Sequence, residues 1–192
     1  MEKMTKRQTQ AQNTKEKIYR TSVELMEKKG INNVTVEEIC RETGVSVGSF
    51  YNYFKSKNDI LNEIYKVADD YFLKVVTNDM KDGSTNDKIV RFFCYYADYN
   101  VHRGLDFVKH LYNPWNTMFI KKGRHMQTVL QNIVEEGQKQ GEIPTGMLPE
   151  EIVEYFFVAA RGIIYDWCLH DGQYDLVEFT GNYVRRLIKI LN

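Results

Sequence analysis

The chain has 192 residues, of which 43% are hydrophobic and 27% are charged, and this suits one large domain or a small domain joined to a larger one. The 26 lysine and arginine residues equal the 26 aspartate and glutamate residues, so the overall charge argues against non-specific nucleic-acid binding. No stretch reaches the about 18 apolar residues that a membrane-spanning helix needs, so a membrane span is excluded. The three scattered cysteines fit neither a disulfide framework nor a zinc site, which favours the reducing cytoplasm.

Helices are predicted throughout, because no segment shows the alternation of apolar and polar residues that is typical of a strand. A flexible basic arm, residues 1–12, precedes a first helix at about residues 13–29, which Gly30 ends as a C-terminal cap. Two short helices follow within residues 35–56. Further helices are predicted at about residues 57–79, 86–100, 104–111, 116–140, 149–170 and 176–191.

The charge is distributed unevenly along these elements. Residues 1–60 contain 11 lysines and arginines against 8 acidic residues, whereas residues 61–192 contain 15 against 18. A modest positive excess of this kind is typical of a region that approaches phosphates.

Residues 36–57 have the pattern of a helix-turn-helix. Thr35 and Glu38 have the spacing of a capping box at the start of the first short helix. Gly44 lies at the turn, where the backbone needs positive φ, and Cys40 supplies the small side chain that the crossing second helix requires. Apolar side chains occupy the positions that lock the two helices together, namely Ile39, Val45, Phe50 and Tyr53.

The run from Thr35 to Lys57, with the preceding Lys28-Lys29-Gly30, resembles the DNA-binding domain of the tetracycline-repressor family. The similarity covers about residues 13–64, a third of the chain. It implies an all-α fold with a three-helix helix-turn-helix domain at residues 13–56 and a larger helical ligand-sensing and dimerisation domain at residues 57–192. It also implies a transcriptional regulator of double-stranded DNA, a ligand-responsive repressor that acts as a homodimer on a palindromic operator.

The same resemblance implies which residues contact DNA. Base edges would be contacted from the start of the recognition helix, by Val47, Gly48, Ser49 and Tyr51. Phosphates would be contacted by Thr35, Tyr51, Asn52, Tyr53 and Lys57. Hydroxyls, amides and helix N-termini are good phosphate donors, and an apolar side chain suits the thymine methyl. The alternatives are that Val47 packs in the first turn and that Lys57 is an ordinary surface lysine.

The last two predicted helices favour dimerisation. The helix ending near residue 170 is apolar nearly all round and must be buried on both sides, and the following helix has two apolar stripes. A four-helix bundle, with two helices from each subunit, accounts for both patterns; the alternative is that they only close their own core. The predicted interface residues are Phe156, Ala160, Ile163, Trp167, Tyr183 and Leu187.

Aromatic residues are concentrated after residue 60, where 20 of the chain's 25 lie. Because tyrosine combines an apolar face with a hydroxyl, these residues suit a cavity for a small apolar or aromatic effector, although an ordinary aromatic core is the alternative. The candidate lining residues are Phe92, Tyr95, Tyr96, Tyr99, Tyr112, Trp115 and Tyr155. An effector that favours wrongly spaced recognition helices would lower the affinity for DNA.

Motifs of catalysis are missing from the sequence. It has no G-x-S-x-G, H-E-x-x-H or C-x-x-C motif and no glycine-rich phosphate loop, and its four histidines lie far apart. The sequence therefore predicts a protein that is not an enzyme and has no cofactor or metal site. A helical interaction or small-molecule-binding protein without DNA function is the alternative.

Overall fold

The computed structural model describes residues 5–112 and 116–191. These residues form helices joined by short turns and no strand, which confirms the all-α fold. The structure divides into two compact units between Lys66 and Val67. The division falls inside a continuous helix, whereas the sequence placed the domain boundary at the start of that helix. Capping signals mark where a helix begins, and they do not show where along it the packing changes.

The first unit is built from α1 (Lys6–Lys29), α2 (Val36–Thr43), α3 (Val47–Tyr53) and the beginning of α4 (Lys57–Tyr71). Helix α1 begins earlier than predicted because Thr5 and Gln8 form a capping box. The Thr5 hydroxyl accepts from the Gln8 amide at 3.3 Å, and the Gln8 side chain accepts from the Thr5 amide at 2.8 Å. Residues 6–12 of the predicted arm are therefore helical, and all of them are exposed.

The core of the first unit comes from one face of each helix. Its fully buried side chains include Ile18, Met26, Ile39, Phe50 and Ile60. Complete burial of such a side chain is worth roughly 1.5–3 kcal/mol. These contacts hold α2 against α1 and α3 against α2, since helices of eight and seven residues are marginal in isolation.

The second unit begins with the rest of α4, which runs through a π turn (Phe72–Val76) into α5 (Thr77–Asp79). The following elements are α6 (Thr85–Arg103), α7 (Leu105–Leu111), a 3-10 turn (Thr117–Ile120), α8 (His125–Lys139), α9 (Pro149–Leu169) and α10 (Leu176–Leu191). The helix predicted from residue 116 begins only at His125, because Gly123 has φ 78° and interrupts it. Among the residues described, no helix is long and apolar enough to cross a bilayer.

A cluster of phenylalanines forms the centre of the second unit. Phe72, Phe92 and Phe93 have no exposed surface, and Phe156 and Phe157 are almost as deeply buried. The ring centroids of Phe72 and Phe92 are 4.9 Å apart, and Phe93 stacks on Phe156 at 5.6 Å. The cluster joins the π turn, α6 and α9, since Phe72 lies in the π turn, Phe92 and Phe93 on α6, and Phe156 and Phe157 on α9.

Candidate nucleic-acid interface

The helix-turn-helix forms where the sequence places it, and local signals build it. The Thr35 hydroxyl accepts from the Glu38 amide at 3.2 Å and begins α2. Gly44 has the left-handed conformation, with φ 68° and ψ 22°, and ends α2. The Ser46 hydroxyl accepts from the Ser49 amide at 3.1 Å and begins α3, so only three residues separate α3 from α2.

In the predicted capping box at α2, the Glu38 carboxylate has further partners besides the Thr35 amide. The carboxylate of Glu38 hydrogen-bonds to the Lys29 ammonium of α1 and lies 3.7 Å from Arg41, so it ties α2 to α1. The hydrogen bond with Lys29 lowers the pKa of Glu38 below its usual value of 4.5. Lys29 lies nine residues before Glu38, so no helical spacing pointed to this pair.

Helix α3 buries one face and presents the other. Phe50 has no exposed surface, whereas Val47 is 41% exposed and Tyr51 is 52% exposed. Gly48 also lies on the exposed face, and a Cβ added there would meet no atom within 4 Å. Of the four predicted base-contact residues, three are thus exposed together; Ser49 is half-buried. The outer face of α3 is free to enter a DNA groove.

The predicted phosphate-contact residues differ in availability. Thr35, Tyr51 and Asn52 are exposed, and Tyr53 is half-buried. Lys57 is half-buried, and its ammonium donates to the backbone carbonyls of Ile31 at 2.7 Å and Val34 at 3.0 Å. Burial lowers the pKa of Lys57.

Lys57 is consequently neither a free phosphate anchor nor an ordinary surface lysine. Two of the three donors of its ammonium bind the segment that precedes α2. The side chain joins the beginning of α4 to residues 31–34 and holds Thr35 in place. Sequence reasoning missed this role because the partners are backbone atoms 23 and 26 residues away.

The predicted effector residues mostly form core. Phe92 is enclosed by other rings, and the hydroxyls of Tyr96 and Tyr112 hydrogen-bond to each other at 2.9 Å in the interior. Tyr95 and Tyr99 are half-buried, and each ring packs near Tyr71. Tyr155 points outward from α9 and is exposed. Trp115 lies outside the described residues. At these positions the rings and hydroxyls contact one another, and none of the described residues among them lines the cavity described next, so their role in a pocket stays a prediction.

A cavity of about 190 Å³ lies elsewhere in the second unit, between the 3-10 turn, α8 and α9. Phe119, Val153 and Phe157 give it apolar walls, while Lys122 and Arg161 also line it. Arg161 donates to the carbonyl of Phe119 at 3.2 Å. None of these residues was predicted. The available signal was Arg161, a cation within the otherwise apolar middle of α9.

Most of the residues predicted for the dimer interface face the core of the second unit instead of its surface. Five of its six side chains are buried within the unit, namely Phe156, Ala160, Ile163, Trp167 and Leu187. Tyr183 alone is exposed. The large apolar residues exposed on the same two helices form a surface that we call the outer stripe: Tyr155, Val158, Tyr165 and Leu169 on α9, and Phe179, Tyr183 and Ile190 on α10.

Comparisons with known proteins agree with this architecture. Residues 18–64 match the family described as "Bacterial regulatory proteins, tetR family". The chain is 25% identical over 182 residues to the "Fatty acid metabolism regulator protein" of Bacillus subtilis (strain 168), covering 89% of this chain and 92% of that protein.

Solved structures share the fold across both units. FadR from Bacillus subtilis in complex with stearoyl-CoA superposes with a TM-score of 0.75 at 23% identity, covering 90% of this chain and 96% of that one. Thermus thermophilus FadR in complex with lauroyl-CoA gives a TM-score of 0.69 at 18% identity, covering 91% and 92%. These matches show that residues 18–64 are similar to the DNA-binding domain of the tetR family of bacterial regulatory proteins, and that the whole chain shares the fold of the two FadR structures.

Proposed function

We propose that the chain represses transcription as a homodimer on a palindromic operator and releases the operator when an acyl-CoA binds to its second unit. The observation that carries the DNA part is the outer face of α3, where Val47 and Tyr51 are exposed while Phe50 anchors the helix in the core. Base contacts from such a helix specify the sequence, and contacts from Thr35 and Asn52 to phosphates position it.

The outer stripe supports a homodimer. Its members on α9 recur at intervals of three, seven and four residues, so they lie along one side of the helix. Exposed apolar surfaces of this kind mark protein–protein contacts. Pairing the stripes of two copies would bury them in a four-helix bundle, and two recognition helices supply the contacts that one module lacks.

The effector part comes from the relatives. One has a name that refers to fatty acid metabolism, and two solved structures of the same fold hold stearoyl-CoA and lauroyl-CoA. A ligand that prefers the form that does not bind DNA lowers the affinity for the operator, and the operator lowers the affinity for the ligand by the same factor. We propose, in addition, that the chain has no catalytic activity of its own and acts in the cytoplasm.

Selection from random duplexes tests the proposal. We expect a palindrome to be enriched, its binding to weaken steeply with salt, and an acyl-CoA to release it. Asn52→Ala should weaken binding about tenfold, on the scale of one lost charge-assisted hydrogen bond. Asn62→Ala is the matched control, since Asn62 is also exposed in the same unit but lies on α4. Absence of any enriched sequence would favour a helical interaction protein instead.

A further inference from the structure

The cavity between the 3-10 turn, α8 and α9 has an apolar interior and a polar opening. Val153 and Phe157 are buried side chains on one face of α9, and Phe119 faces them from the 3-10 turn. Lys122 is exposed and Arg161 is half-buried. This division suits a ligand with a hydrocarbon end and a polar end.

Phe157 closes the inner end of the cavity. Only 5% of its surface is exposed, and its ring lies 6.0 Å from that of Phe92, 5.6 Å from that of Phe93 and 5.8 Å from that of Tyr96. A hydrocarbon chain that enters from the opening therefore meets a wall of packed rings behind Phe157. Moving these closely packed rings apart to admit a longer chain would cost free energy.

The volume limits the length of the chain that fits. A cavity of about 150 Å³ accommodates the six carbons of benzene, so about 190 Å³ accommodates about eight carbons. We propose that this cavity holds the acyl chain of a medium-chain acyl thioester, about eight carbons long, and that Phe157 sets the upper limit. The inference rests on the proposed acyl-CoA response, and it assigns a shorter chain than the lauroyl and stearoyl groups held by the two FadR structures.

The charges at the opening agree with selection by chain length. Lys122 and Arg161 are balanced by Glu150 and Glu154, which also line the cavity. Glu150 accepts from the Gln131 side chain at 2.9 Å. The CoA part is the same in every acyl-CoA and meets the same four charged residues, so the fit of the hydrocarbon determines the preference among acyl-CoAs.

Calorimetric titration of the full chain with butyryl-, octanoyl-, lauroyl- and stearoyl-CoA tests the proposal. Affinity should rise about fourfold per methylene up to octanoyl-CoA, because each methylene leaves water, and lauroyl-CoA should bind no more tightly. Phe157→Ala removes the ring and should make lauroyl-CoA the tighter ligand by about tenfold or more. Val153→Met should narrow the cavity and weaken octanoyl-CoA while leaving butyryl-CoA unchanged. Octanoate is titrated separately, so that its affinity can be compared with that of octanoyl-CoA.

Phe107→Ala is the matched control, because Phe107 is as deeply buried but lies on α7 away from the cavity. It should lower the melting temperature similarly and leave the length preference of the native chain. If Phe157→Ala does not fold, Phe157→Leu should give a smaller shift in the same direction.

Three results would overturn this inference. Affinity that continues to rise to stearoyl-CoA in the native chain would remove the length limit, and an unchanged preference in both cavity variants would remove the role of Phe157. Octanoate binding as tightly as octanoyl-CoA would exclude the thioester. No binding of any acyl-CoA would overturn the proposed effector as well, whereas the predicted length preference without release of DNA would overturn only the regulatory part of the proposed function.

Discussion

Gly48→Ala should make the protein more stable and its binding to DNA weaker. The added methyl group meets no atom within 4 Å, so the folded chain accepts it without strain. Alanine in a helix is favoured over glycine by about 0.5–1 kcal/mol, which corresponds to a rise in melting temperature of a few degrees for a chain of this size. The empty space around Gly48 is therefore not needed for folding.

The same methyl group lies on the face of α3 that we expect to meet the bases. Displacing one base-contact position costs about 1–3 kcal/mol, so the affinity for the selected operator should fall by roughly tenfold to a hundredfold. Melting curves and a shift assay at fixed salt measure the two effects on the same preparation. Asn62→Ala serves as control, because it improves helix propensity at an exposed position outside α3 and should raise stability alone.

Native affinity for the operator in Gly48→Ala would refute the reasoning. It would mean that the beginning of α3 stays away from the groove, and that Val47 and Tyr51 are exposed for another reason. A loss of stability would instead show that the surroundings of Gly48 are more crowded than the structure describes.

Three further predictions concern other parts of the chain. Val158→Asp places a charge in the outer stripe and should give monomers with native helix content in sedimentation and circular dichroism, whereas a dimer that persists would contradict the proposed interface. Lys57→Met removes both hydrogen bonds to the carbonyls of Ile31 and Val34, so the free energy of unfolding should fall by about 1–3 kcal/mol, and the affinity for the operator should fall with it. An unchanged denaturation midpoint would exclude a structural role for these two bonds. Because the folded state lowers the pKa of Glu38, its stabilisation is complete above pH 4.5 and is lost as the pH falls through the lowered value. Glu38→Gln should thus be less stable than the native chain near neutral pH, with a difference that shrinks in acid; a constant difference would argue against the ion pair with Lys29.

The helix-turn-helix could be predicted from the sequence because its signals are local. Thr35 and Gly44 act within a few residues of their own positions, and the structure confirms the cap and the left-handed turn. The recognition helix follows from them, since the exposed and buried positions of so short a helix depend only on where it begins.

The features that the sequence did not predict depend on distant contacts. Helix α9 is apolar on most of its circumference, so periodicity could not decide which residues meet the core and which form the outer stripe. The cavity depends on residues from three elements and on the loop at Gly123, which replaced a predicted helix. The tyrosines were expected to line a pocket, but the bond between Tyr96 and Tyr112 shows that two hydroxyls can satisfy each other inside a core.

The π turn at Phe72–Val76 bears on how related sequences should be aligned. A π turn holds one more residue than an α-helical turn, so every later side chain is rotated by about 100° from its place in a regular helix. A relative without the extra residue would need a one-position gap there. An alignment that omits the gap would exchange the buried Val76 with the exposed Val75 and would match core positions with surface positions.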